Sequence, residues 1–187
     1  MNDKIKINMG CGQRNFGEGW IHVDKNEYDH IDSEDIYLKE FPNDIVDLLY
    51  TSHLIAYFNR REIESMFRRW YEVIKPGGVL RVATPDFKQM ITLYSNYGND
   101  YTLDNFLGPI YGKWSADWLY GGFIYHKTTY DFDSLKKLLM DTGFKDIKRY
   151  DWRETEHAEF DDHSQAYLPH MDKENGTLIS LNVECTK

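Results

Sequence analysis

The chain has little cysteine. Cys11 and Cys185 stand far apart in its 187 residues and in no pattern, which leaves no disulfide framework and reads as two reduced thiols in a cytoplasmic protein. No apolar run approaches the roughly 20 residues that span a bilayer. The first residues lead straight into a strand pattern without a signal-peptide profile, so neither a membrane partner nor a targeting segment is expected. Positive charge is also scarce: 22 Lys and Arg stand against 31 Asp and Glu, a formal net charge of -9. Arg60, Arg61, Arg68 and Arg69 come nearest to a basic cluster, but they alternate with acids and flank apolar helix positions, as on a solvated face. Nucleic acid is therefore not expected as a partner. Internal repeats, low-complexity tracts and linker-like stretches are absent, and one domain over residues 1–187 is expected. With 41% hydrophobic and 28% charged residues, the chain can build a substantial core.

The residues that are present follow an alternating order. Residues 5–9 read as a buried strand stopped by Gly10-Cys11-Gly12, 20–23 as a second strand ending at Asp24, and 31–36 as a weak third element. Residues 45–51 form a buried strand pattern. Ile63, Met66, Phe67, Trp70 and Ile74 recur at helical spacing over residues 61–75, and Lys75-Pro76-Gly77-Gly78 predicts the stop. A strand at 79–83 closes on Thr84-Pro85-Asp86. Residues 94–125 then break the pattern with aromatics among glycines, and read as an insertion. Beyond it, Asp131 or Asp133 can cap a helix carrying Leu135, Leu138 and Leu139, and residues 144–150 and 177–183 read as closing strands. This is the order of a doubly wound α/β sheet.

Glycine directly after a strand permits a tight turn and close approach of a ligand. A carboxylate ending the next strand, here Asp24, can accept hydrogen bonds from the ribose hydroxyls of an adenosine ligand. The interval from Gly12 to Asp24 is shorter than the roughly twenty residues of a dinucleotide fingerprint. Gln13-Arg14-Asn15 also fails to complete GxGxxG, which disfavours NAD, and no GxxxxGK[ST] loop is present.

Ile7-Asn8-Met9-Gly10-Cys11-Gly12, the acid at Asp24, Val46-Asp47-Leu48-Leu49-Tyr50-Thr51-Ser52-His53 and Val73-Ile74-Lys75-Pro76-Gly77-Gly78-Val79-Leu80-Arg81-Val82 together closely resemble the class I S-adenosylmethionine-dependent methyltransferases. The resemblance covers residues 5–86 and continues through Gly143-Phe144 toward 183. It implies a Rossmann-like α/β fold with a seven-stranded, mostly parallel sheet whose last strand is antiparallel. It also implies S-adenosylmethionine as cofactor and a small-molecule acceptor, with a link to surface-polysaccharide pathways. Asn8, Met9, Gly10, Cys11 and Gly12 then approach the methionine part, and Asp24 holds the ribose. Asp35 and Ile36, or Asp32 in another alignment, lie near the adenine, and Ser52 joins the cofactor site. Family members commonly continue with Leu-Glu-His where this chain has Ile55-Ala56-Tyr57. That departure keeps a non-catalytic, cofactor-binding scaffold as the alternative.

Methyl transfer is an in-line displacement that needs the acceptor held about 3 Å from the methyl carbon, water excluded and, for a hydroxyl or amine, a base. No metal is required, so His157, Asp161, Asp162 and His163 are read as a polar loop. Bases are expected at the carboxyl ends of strands, which points to His53, with its near-neutral pKa, and to Asp86, which can instead cap the following helix. His126 and Lys127 are candidates for contacting an anionic or sugar-like acceptor. Trp114 and Trp118 place the insertion either over the pocket as a lid or against an identical subunit in a homodimer. Cys11 is read as packing.

Overall fold

The computed structural model describes residues 4–96 and 100–187, with Asp117 described by its backbone alone. Residues 97–99 of the expected insertion lie outside the described residues. β1 (Lys6–Met9) sends Ile7 and Met9 to one face and Lys6 and Asn8 to the other, the two-residue period of a strand. It pairs in parallel with β2 (Trp20–Val23) and with β3 (Val46–Ser52). A 3-10 turn at Ile55–Tyr57 leads into α1 (Arg60–Val73). Asn59 starts that helix: its side chain accepts from the N–H groups of Arg61 and Glu62, and the Glu62 carboxylate accepts from the Asn59 N–H. Ile63, Met66, Phe67, Trp70 and Val73 form its buried stripe.

The helix stops at Val73, and β4 (Ile74–Pro85) follows it at once, taking in Lys75-Pro76-Gly77-Gly78 where the strand was expected only from Val79. Ile74 is already extended and paired with Val46, and the chain bulges before Val79 pairs with Leu48. Gly77 there takes a φ of +79°, and Lys75 pairs with Asp47 at 2.8 Å. After β4 come α2 (Phe87–Asn96), α3 (Asp104–Tyr111) and a hairpin of β5 (Trp114–Ala116) and β6 (Gly122–Ile124). The stretch expected to be an insertion thus carries regular elements among its described residues. Phe106 of α3 joins Met90 and Leu93 of α2 in a cluster closed by Leu168 and Ile179. α4 (Phe132–Asp141), capped by Asp131, leads to β7 (Lys145–Arg149). A small pair, β8 (Tyr167–Leu168) and β9 (Thr177–Leu178), precedes β10 (Ser180–Thr186).

The main sheet runs β2-β1-β3-β4-β10-β7, with β10 antiparallel to both neighbours. The fold is the expected Rossmann-like α/β type, with six strands in the main sheet among the described residues where seven were expected. The weak third element contributes a single parallel bridge, Val23 to Ser33. Its side chains bind the local backbone instead: Ser33 accepts from the Asp35 N–H, and Asp35 accepts from those of Tyr37 and Glu40.

One face of the sheet is sealed by α1 and α4, whose Phe67, Trp70, Leu135 and Leu139 share a core with Ile7, Leu49, Leu80 and Val183. On the other face the β1–β2 crossover, residues 10–19, contains no helix. Phe16, Trp20, Leu48 and Tyr50 are covered there by Phe160. The His157 ring stacks on Phe16 at 5.6 Å and lies 4.1 Å from Tyr50. Both covering residues come from the long loop between β7 and β8. Among the described residues, no helix is long and apolar enough to cross a membrane.

Candidate active site

Gly10 and Gly12 take φ values of +68° and +56°, a region that L side chains enter at a cost. A Cβ on Gly10 would lie 2.8 Å from the Leu54 side chain, and one on Gly12 would lie 3.3 Å from the Trp114 ring. The turn is tied to the end of β2. The Gly10 N–H donates to the Val23 carbonyl at 2.7 Å. The Gly12 N–H donates to Asp24 Oδ2 at 2.9 Å, and the Asn26 N–H donates to Oδ1 at 2.8 Å. Each carboxylate oxygen keeps a second lone-pair direction for a ligand.

A cleft opens beside this turn at the carboxyl ends of β1, β2 and β3. It is where open α/β sheets bind ligands. Of the residues expected at the site, Asn8, Gly10, Cys11, Gly12, Asp24, Ile36, Ser52, His53, Trp114 and Trp118 line it together. Asn8 Nδ2 and Ser52 Oγ are buried without a hydrogen-bond partner, so each is positioned to gain one from a ligand. The Cys11 thiol is pushed up to about 12, by burial first and then by Asp24, and stays protonated.

His53 leaves β3 in the left-handed region, φ +55°, with its N–H donating to the Ala83 carbonyl at 2.8 Å. Its Nε2 lies 3.3 Å from Ser180 Oγ. Ser180 donates its only proton to Asn182 Oδ1 at 2.9 Å, and Asn182 Nδ2 donates to the Ser164 carbonyl at 2.9 Å. The network therefore assigns the proton on the His53 ring to Nε2 and leaves Nδ1 as its acceptor. Burial, followed by His163, His126 and Arg14, holds the His53 pKa well below its ordinary value. The ring is neutral.

Other expected site residues are placed elsewhere. The Met9 side chain is buried in the α1-covered core. Asp35 is occupied with the Tyr37 and Glu40 N–H groups and does not line the cleft. Asp86 is buried at the start of α2, accepts from the Gln89 N–H and pairs with Arg149 at 3.0 Å. Lys127 pairs with Glu62 at 3.3 Å. His126 stands behind the wall, its ring 4.6 Å from that of Tyr57, with Nδ1 3.1 Å from the Pro109 carbonyl.

Arg14, Lys25, Tyr57, Asp162 and His163, none of them expected at the site from the sequence, also line the cleft. Tyr57, in the departing Ile55-Ala56-Tyr57 segment, donates its hydroxyl to the Gly112 carbonyl at 2.7 Å and so anchors the insertion. Asp162 and His163 belong to the acidic, histidine-bearing loop. Its side chains diverge: His157 enters the sheet cover, Asp161 pairs with Lys173, Asp162 accepts from the Tyr50 hydroxyl at 2.5 Å, and the His163 ring lies 5.1 Å from that of His53. Among the described residues, no group of three or more His, Cys, Asp or Glu is arranged to hold a metal ion.

No family model matches the chain, and no curated protein sequence does. Solved structures do. A SAM-dependent methyltransferase from Archaeoglobus fulgidus superposes with a TM-score of 0.56 at 15% identity, covering 100% of this chain and 87% of that one. One from Mesorhizobium loti gives 0.55 at 19% identity, covering 99% and 91%. One from Methanosarcina mazei gives 0.55 at 16% identity, covering 100% and 94%. The strand order, the glycine turn and these likenesses agree: the chain has the fold of the S-adenosylmethionine-dependent methyltransferases.

Proposed function

We propose that the protein transfers a methyl group from S-adenosylmethionine to a small-molecule acceptor through a hydroxyl, amine or carboxylate. The observation that carries this reading is the bond from the Gly12 N–H to Asp24. It sets a turn flanked by two glycines and a carboxylate with spare lone pairs at one wall of the cleft. The residues fit the cofactor. Gly10 and Gly12 leave a cradle that a Cβ would fill, and Asn8 Nδ2 and Ser52 Oγ lack partners that its polar groups can supply. Asp24 and Ile36 would hold the adenosine part, and Asn8 with the turn the amino-acid part.

The cofactor supplies a methyl group made electrophilic by its sulfonium, so the protein needs no nucleophile of its own. The chain orients the acceptor, excludes water with Trp114 and Trp118, and takes a proton at His53 Nδ1 when the acceptor is a hydroxyl or amine. A neutral His53 accepts that proton without first losing one. The other reading of the insertion, contact with an identical subunit, keeps the exposed Tyr120, Phe123 and Tyr125 as its surface.

Isothermal calorimetry with S-adenosylmethionine and S-adenosylhomocysteine, with NAD as control, tests the reading. Binding of the first two and none of NAD is expected. Asp24→Ala should weaken that binding by on the order of a hundredfold, the loss of charge-assisted bonds to two hydroxyls. Unchanged affinity in Asp24→Ala would remove the ribose assignment.

A further inference from the structure

Arg14 follows the glycine turn and lines the cleft. Its Nε donates to the Asp161 carbonyl at 3.0 Å, which fixes the guanidinium against the loop that presents Asp162 and His163. The neighbouring carboxylates are engaged elsewhere. Asp161 pairs with Lys173 at 2.8 Å. Asp162 accepts from the Tyr50 hydroxyl and the Ser164 N–H. Asp24 accepts from the Gly12 and Asn26 N–H groups. Among the residues described with their side chains, Arg14 forms no ion pair. Its charge reaches His53 and His163, where it works with burial to keep both rings neutral. The cleft therefore holds a guanidinium that forms no ion pair, beside two uncharged imidazoles. A guanidinium presents a planar fork that matches carboxylate and phosphate oxygens.

We propose that Arg14 binds an anionic group of the acceptor, a carboxylate or a phosphate, next to His53 and His163. Naming the acceptor as its owner rests on the methyltransferase reading above. The same chemistry has a second source, the carboxylate at the amino-acid end of the cofactor, and the test separates the two.

Calorimetry on the full chain would use S-adenosylhomocysteine, 5′-methylthioadenosine, which lacks the amino-acid end, and inorganic phosphate. Phosphate is expected to bind the protein saturated with S-adenosylhomocysteine. Arg14→Gln should weaken phosphate binding by on the order of tenfold. Arg14→Lys should restore part of it, and neither variant should alter affinity for S-adenosylhomocysteine. Phosphate should also raise the NMR titration midpoints of His53 and His163, because it offsets the Arg14 charge that adds to burial in lowering them. If Arg14→Gln weakens S-adenosylhomocysteine but spares 5′-methylthioadenosine, Arg14 belongs to the cofactor and the proposal falls. Absent phosphate binding, or binding equal in wild type and Arg14→Gln, overturns it as well. Should S-adenosylhomocysteine fail to bind while phosphate still depends on Arg14, the methyltransferase reading fails and the anion site stands.

Discussion

His157 is the residue whose burial has the clearest energetic consequence. It is 1% exposed, neither ring nitrogen has a partner, and it stands among Phe16, Trp20 and Tyr50. Burial, its largest influence, lowers its pKa from 6.5 to about 4, with Arg81 and Lys6 lowering it and Asp162 and Glu156 raising it. The folded state thus holds the ring neutral while the unfolded chain protonates it below 6.5. This contribution is fully present above 6.5 and is lost as pH falls toward 4, by about 3 kcal/mol over that window. His157→Phe should flatten this part of the acid limb. Urea unfolding at pH 7 and pH 4.5 measures the change, and an unaltered difference between the two pH values would refute the assignment. The periodicity of the sequence could not reveal such a residue. His157 sits in a polar stretch and becomes core only because the sheet face opposite it lacks a helix.

Asp86 shows what an element requires of its first residue. Its carboxylate accepts from the Gln89 N–H at the start of α2 and binds Arg149 of β7, joining helix to sheet. Asp86→Ala should cost about 1–3 kcal/mol and leave affinity for S-adenosylhomocysteine unchanged. Denaturant unfolding paired with calorimetry and a methyl-transfer assay separates this from a catalytic role, which would show as lost turnover at unchanged stability. Elements with strong periodicity were legible in the sequence: β1, β2, β3, α1 and α4 lie within a residue or two of their expected bounds. So did the glycine turn with Asp24, because both sit at strand ends where topology dictates position. The start of β4 was not, since a Pro-Gly-Gly stop was accommodated by a bulge. Nor were α3 and the β5–β6 hairpin, whose aromatics serve a small cluster and a cleft wall rather than one long face. Nor was the meeting of Arg14 with the loop of His163, which rests on the Arg14–Asp161 bond across 147 positions of chain.

At the scale of the whole molecule, the cleft is assembled from the glycine turn, the exit of β3, the hairpin and the β7–β8 loop. A ligand bridging these parts stabilises only the folded state. S-adenosylhomocysteine at a hundredfold excess over its Kd should raise Tm by about 5–10 °C. Differential scanning fluorimetry checks this, and a flat response at saturating ligand would show that the cofactor does not bind the folded chain. The β7–β8 loop has two tasks here. Asp162 and His163 face the cleft, while His157 and Phe160 close the sheet where the β1–β2 crossover has no helix. Evolution therefore cannot remodel this loop for a different ligand in the cleft without eroding the core. Changes of ligand across a lineage should accumulate instead in the hairpin of Trp114 and Trp118, which can vary while the sheet stays sealed.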